Sequence, residues 1–227
     1  MINKLIITII SLFPECIFSY FNISVLKRAV KNRILKVRQC QLRDFAFNKN
    51  KTVDDSPYGG GPGQLIRVDI VVRAIRASRI KNRREIVILL SPRGEIFKQD
   101  CVKKLSDYNH IIFICGRYEG IDSRVEKYVH KIYSIGDYIL TGGELGAMII
   151  TDVLIRKIDG VLGNPKSVQT ESLEDGFLEY NQYTKPLLFE KYKVPSYLLS
   201  GNHKRIAEIR NRERYIITKK MRPDLLI

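Results

Sequence analysis

Several things are missing from this 227-residue chain, and each absence removes a class of function. Its four cysteines, Cys16, Cys40, Cys101 and Cys115, are scattered and form no CxxC pair. Zinc sites and disulfide frameworks need clustered or paired cysteines, so neither is indicated, which suits a reducing cytoplasm. No apolar run reaches the roughly 18 residues of a spanning helix, so none is expected. Lys4 followed by Leu5 to Phe13 could pass for a signal core. However, no small-x-small cleavage site follows, Pro14-Glu15 interrupts the run, and Pro14-Glu15 before Cys16 does not fit lipidation. The glycine-rich string Gly59 to Gly63 lacks the Gly-Lys-Ser/Thr of a Walker loop and is not a GxGxxG fingerprint.

Acid is scarce relative to base. Twenty-four Asp and Glu face 39 Lys and Arg, a net charge of +15, which points to a polyanionic partner such as nucleic acid or an anionic membrane surface. Residues 27–51 hold nine Lys/Arg against one acid, Asp44, a set suited to gripping phosphates without reading sequence. Residues 187–227 hold ten Lys/Arg against four Asp/Glu, a net of +6. At 44% hydrophobic the chain can bury a core, so wholesale disorder is excluded.

What is present reads as alternating elements. Leu5 to Phe13 is continuous and β-branched, the pattern of a strand buried on both faces. A helix is expected over roughly 15–32, a more exposed strand over 34–42, then a long polar loop over 43–63. Val68 to Asn82 reads as a helix and Glu85 to Leu90 as a strand ending in the turn Ser91-Pro92-Arg93-Gly94. A helix over 98–108, a strand from His110 to Cys115, a short polar helix and a strand from Val129 to Ser134 follow. Glu144 to Lys157 is an amphipathic helix, and short helices are expected after Leu187. This order argues a parallel α/β sheet. Two strands end close together in glycine-bearing loops, Gly116-Arg117-Tyr118-Glu119-Gly120 and Ile135 to Gly143. In open α/β sheets ligands sit outside the carboxyl ends of strands, so these loops are expected to wall a pocket with main chain. Four glycines within Gly59 to Gly63 likewise leave backbone amides bare for a flat or anionic ligand.

These strings resemble the bacterial tRNA (guanine-N1)-methyltransferase family of the SPOUT class. GRYEGID (116–122) and SIGDYILTGGEL (134–145) carry the likeness most specifically, joined by SLFPE (11–15), TVDDSPYGGGPG (52–63), GVLG (160–163), YTKP (183–186), LLSGNHKRIAEIR (198–210) and RPDLL (222–226). The resemblance implies methyl transfer from S-adenosylmethionine to N1 of guanine 37 of tRNA, just 3′ of the anticodon. It implies a parallel sheet with a trefoil-knotted core, a homodimer with the active site between subunits, and a small helical C-terminal RNA-binding domain. The expected division is 1–163 for the methyltransferase domain, 164–186 for a linker and 187–227 for the helical domain. It also hints at magnesium and at a preference for a guanine beside the target. Family members often extend further past RPDLL, so a reduced tRNA-binding surface is expected.

By the same resemblance, Ser91, Pro92, Gly116, Glu119, Ile135, Gly136, Asp137, Tyr138, Ile139, Leu140 and Gly143 hold the cofactor. Asp54, Tyr58, Gly59, Gly63, Ser200 and His203 meet guanine or tRNA, although His203 by itself reads as structural. Guanine N1 carries a proton, so methylation needs a base there and a cation for charge developing on O6. Arg156 supplies the cation. The base falls within 167–172, where the family has aspartate and this chain has Glu171. A second departure is Gly146, where the family has proline. Two other readings fit the residues: a related knotted enzyme acting on ribosomal RNA or another base, and a non-catalytic RNA-binding protein.

Overall fold

The computed structural model describes residues 4–162 and 171–226. The chain divides into two compact units, Met1–Gly163 and Asn164–Ile227.

The first unit is built on five parallel strands: β1 (Leu5–Ser11), β2 (Leu35–Gln41), β3 (Glu85–Ile96), β4 (His110–Cys115) and β5 (Lys131–Ser134). Their order across the sheet is β2-β1-β4-β3-β5. Every residue of β1 and β4 is buried, whereas the edge strand β2 is largely half-exposed. Alternate residues feed two separate cores. Ile7, Ile9, Ile88, Ile111 and Phe113 pack on one face with Leu26 and Ala29 of helix α1 (Ser24–Lys31) and with Ala147 and Ile150 of helix α4 (Glu144–Ile155). Ile10, Val87, Leu89, Ile112 and Ile114 pack on the other face against helix α2 (Val68–Ser78). Continuous apolar strands are what a sheet covered on both faces requires, and each such side chain contributes about 1.5–3 kcal/mol on burial.

Three local expectations change. The helix expected over 15–32 is broken into a 3₁₀ turn at Pro14–Ile17, a single turn at Phe18–Phe21 and α1, with Ile23 extended between them. With the break, Ile17, Phe21, Leu26 and Ala29 are all buried in the same core. The turn expected at Ser91–Gly94 is a bulge inside β3: Leu90 and Glu95 both face Tyr133 of β5, and the residues between are pushed out. Gly94 sits where a Cβ would lie 2.6 Å from the Ile132 backbone, so only glycine lets the strands rejoin. The expected helix over 98–108 shrinks to α3 (Cys101–Leu105).

Where short helices are expected after Leu187, the described residues form one long helix, α5 (His203–Met221), flanked by single 3₁₀ turns at Ser196–Leu199 and Pro223–Leu226. No Gly or Pro interrupts that run. A two-residue hairpin, Leu188–Phe189 with Tyr192–Lys193, precedes it. The stretch 175–180 packs on α5: Leu178 N–H donates to Thr218 Oγ1 at 2.9 Å, Arg214 pairs with Asp175, and the Arg210 guanidinium lies 4.3 Å from the Tyr180 ring centroid.

Candidate functional site

A cavity of about 520 Å³ opens at the carboxyl ends of β3, β4 and β5. The β3 bulge, the 116–122 loop and the 133–143 loop enclose it. Ser91, Pro92, Gly116, Glu119, Ile135, Gly136, Tyr138, Ile139, Leu140 and Gly143 all line it; Asp137 alone of that expected set does not. Gly146 also lines it, and a Cβ there would lie 3.3 Å from Leu90 Cδ1.

Close backbone approach builds the wall. Gly143 N–H donates to the Gly116 carbonyl at 3.1 Å. A Cβ on Gly143 would stand 2.8 Å from Cys115 Cα, so any side chain would force the two loops apart. Beneath this junction lies Glu144, whose buried carboxylate accepts from Arg117 Nε at 3.2 Å, pairs with Arg117 Nη2 at 3.2 Å, and accepts a short hydrogen bond from Ser11 Oγ. Arg117 Nη1 donates to the Thr141 carbonyl at 3.2 Å. One ion pair therefore ties together the end of β1, the 116–120 loop and the entrance to α4. These anchors were within reach of the sequence, as the Arg and Glu of two glycine-bearing motifs, but motif position alone does not show that Arg117, which lines the cavity, pairs with Glu144 behind it. Burial pushes the Tyr133 hydroxyl up to about 12, so this cavity-lining group stays protonated at neutral pH.

The glycine-rich loop is joined to the same rim. Glu119 N–H donates to the Gln64 carbonyl at 3.1 Å, Ile66 N–H to Gly120 at 3.0 Å and Asp122 N–H to Ile66 at 3.0 Å. Gly63, at φ +82°, lies so close to Glu119 that a Cβ would be 2.3 Å from its Cγ. Asp54 is held in a short antiparallel ladder opposite Ile66. Asp54 and Gly63 are thus brought to the 119–122 loop. Tyr58 is fully exposed and Gly59 has open space where a Cβ would go, so these two project into solvent.

The remaining expected residues fall elsewhere. Arg156 closes the C-terminus of α4 in the first unit, its N–H donating to Asp152 at 3.4 Å. Glu171 belongs to the second unit; most of the expected base segment, residues 167–170, lies outside the described residues. Ser200 Oγ donates to the Tyr197 carbonyl at 2.7 Å and accepts from Asn202 N–H at 3.3 Å. Asn202 in turn caps α5 through Arg205 N–H at 3.0 Å, leaving His203 exposed in the first turn. The SGNH string therefore acts locally as a helix start.

Fold and site together define an α/β protein with a small-molecule-sized cavity walled by main chain at a cluster of strand ends. The chain matches the family model described as tRNA (Guanine-1)-methyltransferase TrmD over residues 5–227. It is 47% identical over 220 residues to a tRNA (guanine-N(1)-)-methyltransferase of Dictyoglomus turgidum, covering 97% of this chain and 89% of that protein. A Ureaplasma parvum protein of the same name is 46% identical over 220 residues, covering 96% and 95%. One from Clostridium perfringens strain ATCC 13124 is 47% identical over 219 residues, covering 96% and 92%. The chain belongs to the tRNA (guanine-N1)-methyltransferase family and is an enzyme, with S-adenosylmethionine the methyl donor that this class implies.

Proposed function

We propose that the chain transfers a methyl group from S-adenosylmethionine to N1 of guanine 37 of tRNA, acting in the cytoplasm as a homodimer. One observation carries the reading: the loop assigned to guanine is bonded, main chain to main chain, to the rim of the cavity assigned to the cofactor. The cavity volume falls within the roughly 300–1,000 Å³ of small-molecule sites. The β3 bulge, Gly116, Glu119, the 135–140 backbone and Gly143 would hold S-adenosylmethionine, which supplies an already activated methyl group. Asp137 would act from outside the wall. We also place the cofactor loop in a trefoil knot, on the resemblance.

The protein's part is positioning and proton removal. Glu171 takes the N1 proton and Arg156 offsets the charge on O6. Asp54 and Glu119 are placed to accept from the guanine edge, whose N1–H and N2–H are donors. Glu171 is one methylene longer than aspartate, and a misplacement of about 1 Å can cost on the order of 100-fold, so the backbone around it compensates. The second unit, with its exposed cationic α5 opening at His203 just after Ser200, grips the tRNA. Magnesium rests on the resemblance alone: no group of three His, Cys, Asp or Glu is clustered among the described residues.

The dimer reading has its own support. Leu145 and Ile149, four residues apart on α4, are 50% and 45% exposed. Tyr20, whose hydroxyl is pushed up by burial and by the nearby charge of Asp152 on the same helix, and Phe18 and Ile23 extend the apolar surface.

The test is transfer of labelled methyl to an unmodified tRNA transcript carrying guanine 37. We expect transfer, its loss with adenine 37, and a fall of about 10²–10⁴ in kcat for Glu171→Ala with cofactor binding retained. Guanine-dependent transfer that survives Glu171→Ala would keep the function and remove the base. Transfer to ribosomal RNA alone would move the substrate, and cofactor binding without transfer would leave an RNA-binding protein.

A further inference from the structure

A second cavity, of about 530 Å³, lies away from the active site between α2 and the segment leading into β5. Val72, Ile75 and Val129 form its apolar lining, Arg76, Arg79, Lys127 and His130 its cationic and donor groups, and Tyr128 adds a hydroxyl that can donate or accept. No carboxylate lines it. Arg79 is paired with Glu85 at 3.2 Å. Arg76 and Lys127, both exposed, have no carboxylate partner among the described residues.

The histidine is oriented by the sheet. Val87 N–H donates to His130 Nδ1 at 2.9 Å, and His130 N–H returns a bond to the Val87 carbonyl at 2.9 Å. A ring nitrogen that accepts carries no proton, so the neutral ring holds its proton on Nε2. Nε2 has no protein partner among the described residues and stands as a fixed donor. A cavity with two unpaired cations, a third shared with a carboxylate, an oriented N–H donor and no carboxylate in its lining suits a compact oxyanion.

We propose that this cavity binds phosphate oxygens, either a phosphodiester of the RNA substrate or the phosphates of a small free polyanion. The RNA source rests on the tRNA substrate of the reading above; the small-anion source does not. In the full-length protein, inorganic tripolyphosphate is titrated while the three histidine ring signals are followed by NMR. In parallel, binding of unmodified tRNA is measured against salt, without methyl transfer, so a failed methyl-transfer reading does not affect this test. The variant is Arg76→Ser with Lys127→Ser, and the control, of equal charge change, is Lys103→Ser with Lys104→Ser on α3.

The expected result is a His130 shift with tripolyphosphate that the double variant abolishes. For an RNA source, the double variant also weakens tRNA binding on the order of tenfold and lowers the log–log salt slope by about 2, beyond the control. A His130 response with an unchanged tRNA slope assigns the site to a free polyphosphate, and a slope change without that response assigns it to RNA alone. An unmoved His130 together with a salt slope equal to the control's overturns the proposal.

Discussion

At the scale of single residues, the buried ion pair under the cavity is the most exposed to test. Glu144 is almost wholly buried, and Arg117 is its charge partner. Removing one member of such a pair leaves an uncompensated charge, a loss of about 3–5 kcal/mol. Arg117→Ala is therefore expected to lower unfolding stability by roughly that amount in urea denaturation, and to weaken S-adenosylmethionine binding because the Thr141 carbonyl loses its donor. His110 gives a pH signature instead. It is fully buried beside Thr8, 2.9 Å away, and burial holds its imidazole below the usual range although Glu85 pulls the other way. The unfolded chain then binds the proton more readily than the folded one. Stability contributed by neutral His110 is complete above about pH 6.5 and declines as pH falls from there toward the folded pKa. His110→Gln should flatten unfolding free energy against pH in that window; an unchanged slope would place the titration elsewhere.

At the scale of elements, the site depends on how closely loops pass. Gly143 has an ordinary helical φ, so its need for glycine is steric rather than conformational. Gly143→Ala must separate the 116 and 143 backbones by several tenths of an ångström. Loss of S-adenosylmethionine affinity of tenfold or more is expected by calorimetry, with the far-UV spectrum retained. The β3 bulge shows what sequence reading can miss here. Ser91-Pro92-Arg93-Gly94 reads as the end of a strand because proline and glycine punctuate chains. Strand pairing resumes at Glu95 opposite Tyr133, and nothing local signals that return. The break at Asn22–Ile23 was equally hidden, since apolar spacing near 3.6 persists on both sides of it.

At the scale of the molecule, the exposed apolar face of α4 is where the proposed homodimer can be tested. Leu145→Asp with Ile149→Asp places charge on a surface that a homodimer would bury. Sedimentation should then show a monomer with methyl transfer lost, whereas a native protein already monomeric would remove the shared active site. Dispersed basic charge, by contrast, makes no prediction about assembly; it sets affinity for polyanions and its salt dependence.

The sequence by itself determined the sheet and its site motifs. Unbroken β-branched runs at Leu5 and His110 can only be buried on both faces, and glycines just beyond strand ends mark close backbone approach. It also showed the family, because two long motifs recur in order. Tertiary structure alone decided which glycine meets which backbone, that Arg117 of the cavity wall pairs with the buried Glu144 behind it, that Asp137 stands outside that wall, and that Arg76, Lys127 and His130 share a cavity. Those facts depend on contacts between residues far apart in the chain, such as Ser11 and Glu144 or Val87 and His130. Periodicity and propensity report a residue's neighbours in sequence; packing and desolvation depend on its neighbours in space, which the folded chain supplies.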